Sequence, residues 1–190
     1  MSNAPISRFP VPRLEDLPDD IRVRIEAVAE RSGFVPNVFL ALAHRPDEWR
    51  AFVAYHDALM ERESGLTAAE KELIVVATSA ANDCLYCVVA HGAIARIRAR
   101  NPLIADQVAV DWRKADVTER QRAMLGFAVK LAVEPARVTE ADLAALREHG
   151  FTDDDIWDIG AITALFAMSN RMAHLSAMRP NDEFYLMGRV

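Results

Sequence analysis

An all-α protein is what the sequence predicts, on three observations. Apolar residues recur at three- and four-residue spacing through most of the 190 residues, the period of a helix with one buried face. Alternating β-branched runs bounded by turn residues, the mark of strands, are hard to find. Four segments open on a threonine followed three positions later by a side chain that can reach back to it: Thr67 with Glu70, Thr118 with Gln121, Thr139 with Asp142 and Thr152 with Asp155. In such a capping box the hydroxyl and the partner side chain satisfy backbone N–H groups that have no helical acceptor. The two Asp versions are expected to be weaker, because Asp is shorter than Glu.

Taken in order, residues 1–18 carry Pro5, Pro10, Pro12 and Pro18, four of the nine prolines. Each fixes φ and lacks a donor N–H, so this stretch reads as an extended N-terminal arm, of the kind that often lies across a neighbouring subunit. Residues 19–190 read as one helical domain, a single-domain bundle, since a chain of this length can bury a full core. Helices are expected over 19–31, 36–43, 46–63, 67–81, 84–100, 118–133, 139–149 and 152–178. The recurring Thr starts hint at a degenerate repeat of a helical hairpin, although only one copy carries cysteines.

Composition narrows the function. Apolar residues make up 52% and charged residues 26%, a water-compatible mixture with slightly more apolar material than a lone globule needs; a homo-oligomer is expected. No apolar run reaches the roughly 20 residues that span a bilayer, and the start of the chain lacks a signal-peptide core, so a cytoplasmic protein with no membrane partner is expected. With 22 basic and 28 acidic residues the formal charge is −6, which lacks the basic footprint nucleic acid requires. Only two cysteines occur, Cys84 and Cys87. In a reducing compartment that pair points to redox or metal chemistry rather than to a structural framework.

The informative segment is LTAAEKELIVVATSAANDCLYCVVAHGAIARIRAR. It divides into a helix from Thr67, a break at Asn82-Asp83, and a second helix near Cys84 with Asn82 or Asp83 as its N-cap. On that second helix Cys84, Cys87 and His91 stand at i, i+3 and i+7, along one stripe, so both sulfurs and the imidazole can meet in one pocket. Two thiols in the first turn can close a disulfide, and the exposed N–H groups there favour a thiolate.

Plainer readings exist for each residue. Free cysteines are often buried small hydrophobes, and a lone His on an apolar helix face is ordinarily a hydrogen-bonded core residue; His91 stands out by its place four residues beyond Cys87. For Glu72 the helix dipole alone favours a first-turn acid, and the residues by themselves do not choose Glu72 over Glu70. Tyr86 is most simply a packing aromatic, and Asp83, most simply a cap, would oppose a nearby thiolate. A c-type haem needs His directly after the second Cys, where Val88 stands, and iron–sulfur clusters usually need four cysteines. Zinc could be held by Cys84, Cys87, His91 and one of His44, His56, His149 or His174, but none of these last is paired at ligand spacing. A thioredoxin-like C-x-x-C follows a strand, whereas the residues before Cys84 read as helix.

Glu72, then Cys84-Leu85-Tyr86-Cys87, then His91 resembles the E…C-x-x-C-x-x-x-H signature of the alkylhydroperoxidase D-like (AhpD-like) group of the carboxymuconolactone decarboxylase superfamily. GFVPNVFLALAHRP and ALREHGFTDDDIWDIGAITALFAMSNR look like its longer, uncharacterised peroxidase-related branch. The cysteine pair argues against lactone decarboxylation, whose enzymes do not carry it. The resemblance implies an AhpD-like all-α fold and a cysteine peroxidase acting on a hydroperoxide. It also implies roles: Cys87 as the attacking thiol, Cys84 as the resolving thiol, His91 as base, and Glu72 as the group that orients it or relays its protons. The dipole alone would instead make Cys84 the more acidic thiol. The best-known enzymes of the group carry a histidine where this chain has Tyr86, which can donate a hydrogen bond but not act as a neutral-pH base. No flavin, nicotinamide or haem site is visible, so no cofactor is expected and electrons must come from an unidentified dithiol reductant. Two rival readings are a redox sensor or interaction protein with a switching disulfide, and a zinc-binding helical module.

Overall fold

In the computed structural model, residues 5–189 are described, and among them the regular structure is helical. Ten α-helices follow one another: α1 (Asp19–Ser32), α2 (Asn37–Leu42), α3 (Pro46–Met60), α4 (Ala68–Ala81), α5 (Leu85–Ala99), α6 (Ile104–Asp111), α7 (Glu119–Val133), α8 (Glu140–Glu148), α9 (Asp153–Ser176) and α10 (Glu183–Leu186). The all-α expectation therefore holds. Short 3-10 turns occupy Leu14–Asp16 and Pro135–Arg137.

The threonine starts form as read. Thr67 Oγ1 accepts from Glu70 N–H at 3.1 Å while Glu70 Oε2 accepts from Thr67 N–H at 2.9 Å. The Asp side chains reach back as well as the longer ones, Asp142 Oδ2 accepting from Thr139 N–H at 2.8 Å and Asp155 Oδ2 from Thr152 N–H at 2.9 Å. At Thr139 the hydroxyl half is weaker, as expected, because Asp142 N–H donates to the Thr139 carbonyl at 3.0 Å. Two helices were not expected. α6 follows Asn101-Pro102 and starts at Ile104, with Leu103 as an N-cap that offers no side-chain hydrogen bond, and α10 spans four residues, too short for a period to register. α3 stops at Met60 instead of continuing to residue 63, because Lys71 Nζ inserts at its end and takes the carbonyl oxygens of Leu59 and Arg62, both within 3 Å. A buried ammonium thus caps the α3 C-terminus, where orphan carbonyls and the dipole favour a cation.

α4 is the centre of the bundle. Every residue from Glu70 to Ser79 is buried, as expected of a helix surrounded by others, and it packs on α5, α6, α7 and α9. Leu73, Ile74, Val75 and Val76 meet Met124, Leu125, Ile159, Ile162 and Phe166 in the main core. A smaller cluster gathers Leu17, Ile21, Ile25 and Trp49 under α1–α3, and a third gathers Cys84, Tyr86, Cys87, Ala173 and Phe184. The N-terminal stretch crosses the end of α9 in its own chain: Arg8 N–H donates to Ser176 O at 2.8 Å, and Arg179 N–H to Ile6 O at 3.2 Å. Residues 1–4 of the expected arm lie outside the described residues, as does residue 190 of the expected domain. Among the described residues no helix is long and apolar enough to cross a membrane.

Candidate active site

The break between α4 and α5 differs from the expected one. Cys84 N–H donates to Ser79 O at 2.9 Å and Asp83 N–H to Ala80 O at 3.0 Å, with Asp83 in the left-handed region at φ 53°. These are the two bonds of a Schellman ending of α4, in which Asp83 takes the place usual for Gly. Neither Asn82 nor Asp83 is therefore the N-cap of α5; Cys84 itself is, at φ −82° and ψ 94°. Its sulfur stands where a capping side chain would, beside the unpaired N–H groups of the first turn.

Both thiols are free and buried, each 1% exposed. The hydrogen bond that Cys87 S–H offers to the Cys84 sulfur, reinforced by Cys87 N–H and by smaller electrostatic contributions from His174 and His91, lowers the Cys84 thiol to about 7 against its burial. Cys87 moves the other way: donating to Cys84, and being buried, it is pushed well above the ordinary thiol range, with the Ser169 and Ser79 hydroxyls pulling back. The reduced pair thus ionises first at Cys84, the direction the helix-terminus argument gives.

Cys87, His91 and Tyr86 line one cavity of about 290 Å³ between α1–α3 and α5, α9 and α10. Its walls are mainly apolar, with Val38, Phe39, Trp49, Phe52, Phe166, Phe184 and Met187, the usual character of a small-molecule site. Cys84 is not among the lining residues, so the expected meeting of both sulfurs and the imidazole in one pocket is realised by Cys87 and His91, with Cys84 behind the wall. His91 Nδ1 lies 2.8 Å from Glu72 Oε2. A carboxylate only accepts, so Nδ1 carries the hydrogen and Nε2 is left as the basic atom. The pair is largely buried, and the His91 ring stands edge-on to Phe166 at 4.6 Å. Tyr86 Oη accepts from Val38 N–H at 3.1 Å, and burial raises its phenol, which stays protonated.

Glu70 and Glu72 divide the roles the sequence could not separate. Glu70 belongs to the capping box and pairs with Arg120 at 2.7 Å; Glu72, two positions on, points into the bundle at His91. Sequence reasoning missed Ser169, whose Oγ lies 3.9 Å from Cys87 Sγ, and offered His56, which lines the same cavity, only as one of four possible zinc ligands. A polar Ser in the apolar run ALFAMSNR was the available signal for the first. Among the described residues no group of three or more His, Cys, Asp or Glu side chains is placed to hold a metal ion.

Residues 46–102 match the carboxymuconolactone decarboxylase family model. Over nearly the whole chain the fold matches a solved, uncharacterised peroxidase-related protein with an AhpD core from Ralstonia eutropha JMP134, at TM-score 0.97 and 68% identity, with 98% of each chain covered. An uncharacterised peroxidase-related protein from Silicibacter sp. TM1040 matches at TM-score 0.93 and 39% identity over 100% of both chains. The chain belongs to the AhpD-like, peroxidase-related branch of the carboxymuconolactone decarboxylase family. This AhpD-like protein also shares its fold with the debrominase Bmp8, at TM-score 0.76 and 22% identity, over 96% of this chain and 95% of that one. Among curated proteins no sequence match is found. The all-α AhpD-like expectation is thereby met, and the family is enzyme-related.

Proposed function

We propose that this protein is a cysteine peroxidase that reduces a hydroperoxide through a Cys84/Cys87 dithiol–disulfide cycle. The observation that carries the reading is the cavity wall itself. Cys87 and His91 share it, and His91 is fixed in one tautomer by the buried Glu72 carboxylate, the base-and-orienter arrangement that activates nucleophiles.

In this reading Cys87 gives up its proton, to the Cys84 thiolate or to His91 Nε2, and its sulfur attacks the terminal oxygen of the hydroperoxide. The S–O bond forms, the O–O bond breaks, and the alkoxide leaves as the alcohol after taking up a proton. The sulfur is oxidised to a sulfenic acid, which Cys84 displaces to form the disulfide and water. A cellular dithiol supplies the two electrons that restore both thiols. Neither a metal nor an organic cofactor enters the cycle. The protein is expected to work as a cytoplasmic homo-oligomer.

The test is hydroperoxide consumption with a supplied dithiol, set against oxidation of the protein by one equivalent of hydroperoxide. Many turnovers per protein support the peroxidase. Oxidation that stops after one turnover, despite excess dithiol, replaces it with a disulfide switch.

A further inference from the structure

The cavity holds a second imidazole–carboxylate pair. His56 and Asp57 lie near the end of α3, and both line the cavity that Cys87 and His91 line from α5. His56 Nδ1 is 3.3 Å from Asp57 Oδ1, and the other Asp57 oxygen accepts from Arg24 Nη2 at 2.7 Å. Asp57 is thus fixed from α1 and orients the ring from α3. Both imidazoles pack on the Phe166 ring, His91 edge-on at 4.6 Å and His56 edge-on at 6.3 Å between centroids. An in-line attack places the leaving oxygen beyond the attacked one, away from the sulfur. A base beside the thiol is then badly placed to protonate the departing alkoxide, and a donor from another wall suits it better.

We infer that His56, oriented by Asp57, is a further catalytic residue: the general acid that protonates the alkoxide expelled when Cys87 attacks a hydroperoxide. The inference rests on the peroxidase reading. With Nδ1–H directed at Asp57, the proton delivered is the one on Nε2 of the imidazolium. As the sulfur's electron pair forms the S–O bond and the O–O bond breaks, the alkoxide takes that proton and leaves as an alcohol. His56 is left neutral and regains the proton that the dithiol released on ionising. Burial lowers the proton affinity of His56, and the neighbouring His91 charge lowers it further, against the pull of Asp57 and Glu72. Its imidazolium is therefore a readier donor than one in water.

Leaving groups provide the test. An alkyl hydroperoxide expels a strongly basic alkoxide that needs a proton; a peracid expels a carboxylate that does not. Single-turnover oxidation of Cys87 by tert-butyl hydroperoxide and by peracetic acid is measured in the wild type, His56→Gln and Asp57→Asn, with melting temperatures alongside. The inference requires His56→Gln to lose on the order of 10²-fold or more with the alkyl hydroperoxide, the usual contribution of a general acid, while peracid and iodoacetamide rates stay near wild type. Asp57→Asn should show the same selectivity in weaker form. Equal losses in all three reactions, or none, overturn it. A wild type inert to alkyl hydroperoxide but reactive to iodoacetamide would instead sink the peroxidase reading beneath it.

Discussion

Glu72 Oε2 sits 2.8 Å from His91 Nδ1, across the α4–α5 contact. Two residues earlier, Glu70 completes a helix cap and an ion pair with Arg120. Neighbouring glutamates on one helix therefore answer to different physics, one to local helix chemistry and one to the cavity.

Exchanging each for its amide should separate the two. Glu72→Gln removes the charge that stabilises an imidazolium and leaves the tautomer of His91 unfixed, so alkylation of Cys87 and oxidation by hydroperoxide should slow by roughly 10²-fold. Stability should change by about 1 kcal/mol, since an amide can still hydrogen-bond there. Glu70→Gln keeps a capping-box side chain but loses the Arg120 pair, costing about 1–2 kcal/mol with thiol reactivity unaltered. Alkylation rates and melting temperatures of both variants check this; a slow Glu70→Gln beside a normal Glu72→Gln would reverse the assignment.

One equivalent of hydroperoxide should convert the two free thiols into a Cys84–Cys87 disulfide. Cys84 caps α5 with extended backbone and Cys87 lies one turn inside, so the sulfurs can close with a small movement at the cap and no unwinding of α5. Thiol titration should fall from two groups to none and recover with dithiothreitol. In Cys84→Ser the reaction should stop at a sulfenic acid on Cys87 that dimedone labels; label on neither residue would count against Cys87 as the attacking thiol.

Most of the bundle was legible because its signals are local. The Thr67, Thr118, Thr139 and Thr152 boxes fix helix starts through neighbours three residues apart, and all four helices begin at the next residue. α6 lacks such a cap and α10 is one turn long, so neither announced itself. The misread turn before Cys84 has a similar cause: Asp83 can cap one helix or terminate another, and only the bonds from Cys84 to Ser79 and from Asp83 to Ala80 decide. In the site, Cys84, Cys87 and His91 were readable as a stripe on one helix. Ser169, 82 positions beyond Cys87, and His56 on α3 reach the cavity only through tertiary packing, which no spacing rule encodes.

A second copy of the chain is expected on α9. Trp157, Met168 and Leu175 along its outer face are 74%, 47% and 54% exposed, with Ala164 between them, a stripe of about 27 Å at 1.5 Å per residue. Asp153 and Asp154 lie at one end and Arg171 near the other, so antiparallel pairing about a twofold axis would set acid against base at both ends. Light scattering at micromolar concentration should give at least a dimer for the wild type and a monomer for Met168→Asp. A monomeric wild type would end the expectation.

The ionisation of the pair should centre on Cys84 and depend on Cys87. With Cys84 lowered to about 7 from the ordinary 9.0, chiefly by the hydrogen bond from Cys87, thiolate absorbance should rise with a midpoint near pH 7. In Cys87→Ala the donor is gone and the midpoint should move up toward the ordinary value; in Cys87→Ser, whose hydroxyl can still donate, it should move less. The folded Cys84 value lies below the unfolded one, so its contribution is fully present above pH 9 and is lost as pH falls through about 7. Cys87, raised in the fold, acts oppositely, with its contribution present at lower pH and lost as pH rises past its folded value. Removing Cys87 in Cys87→Ala should therefore weaken the Cys84 contribution and abolish the opposing one. Melting temperatures across pH 6 to 9, flatter in the variant than in the wild type on the acid side, are the expected result; an unchanged thiolate midpoint in Cys87→Ala would show that the helix terminus alone sets the acidity of Cys84.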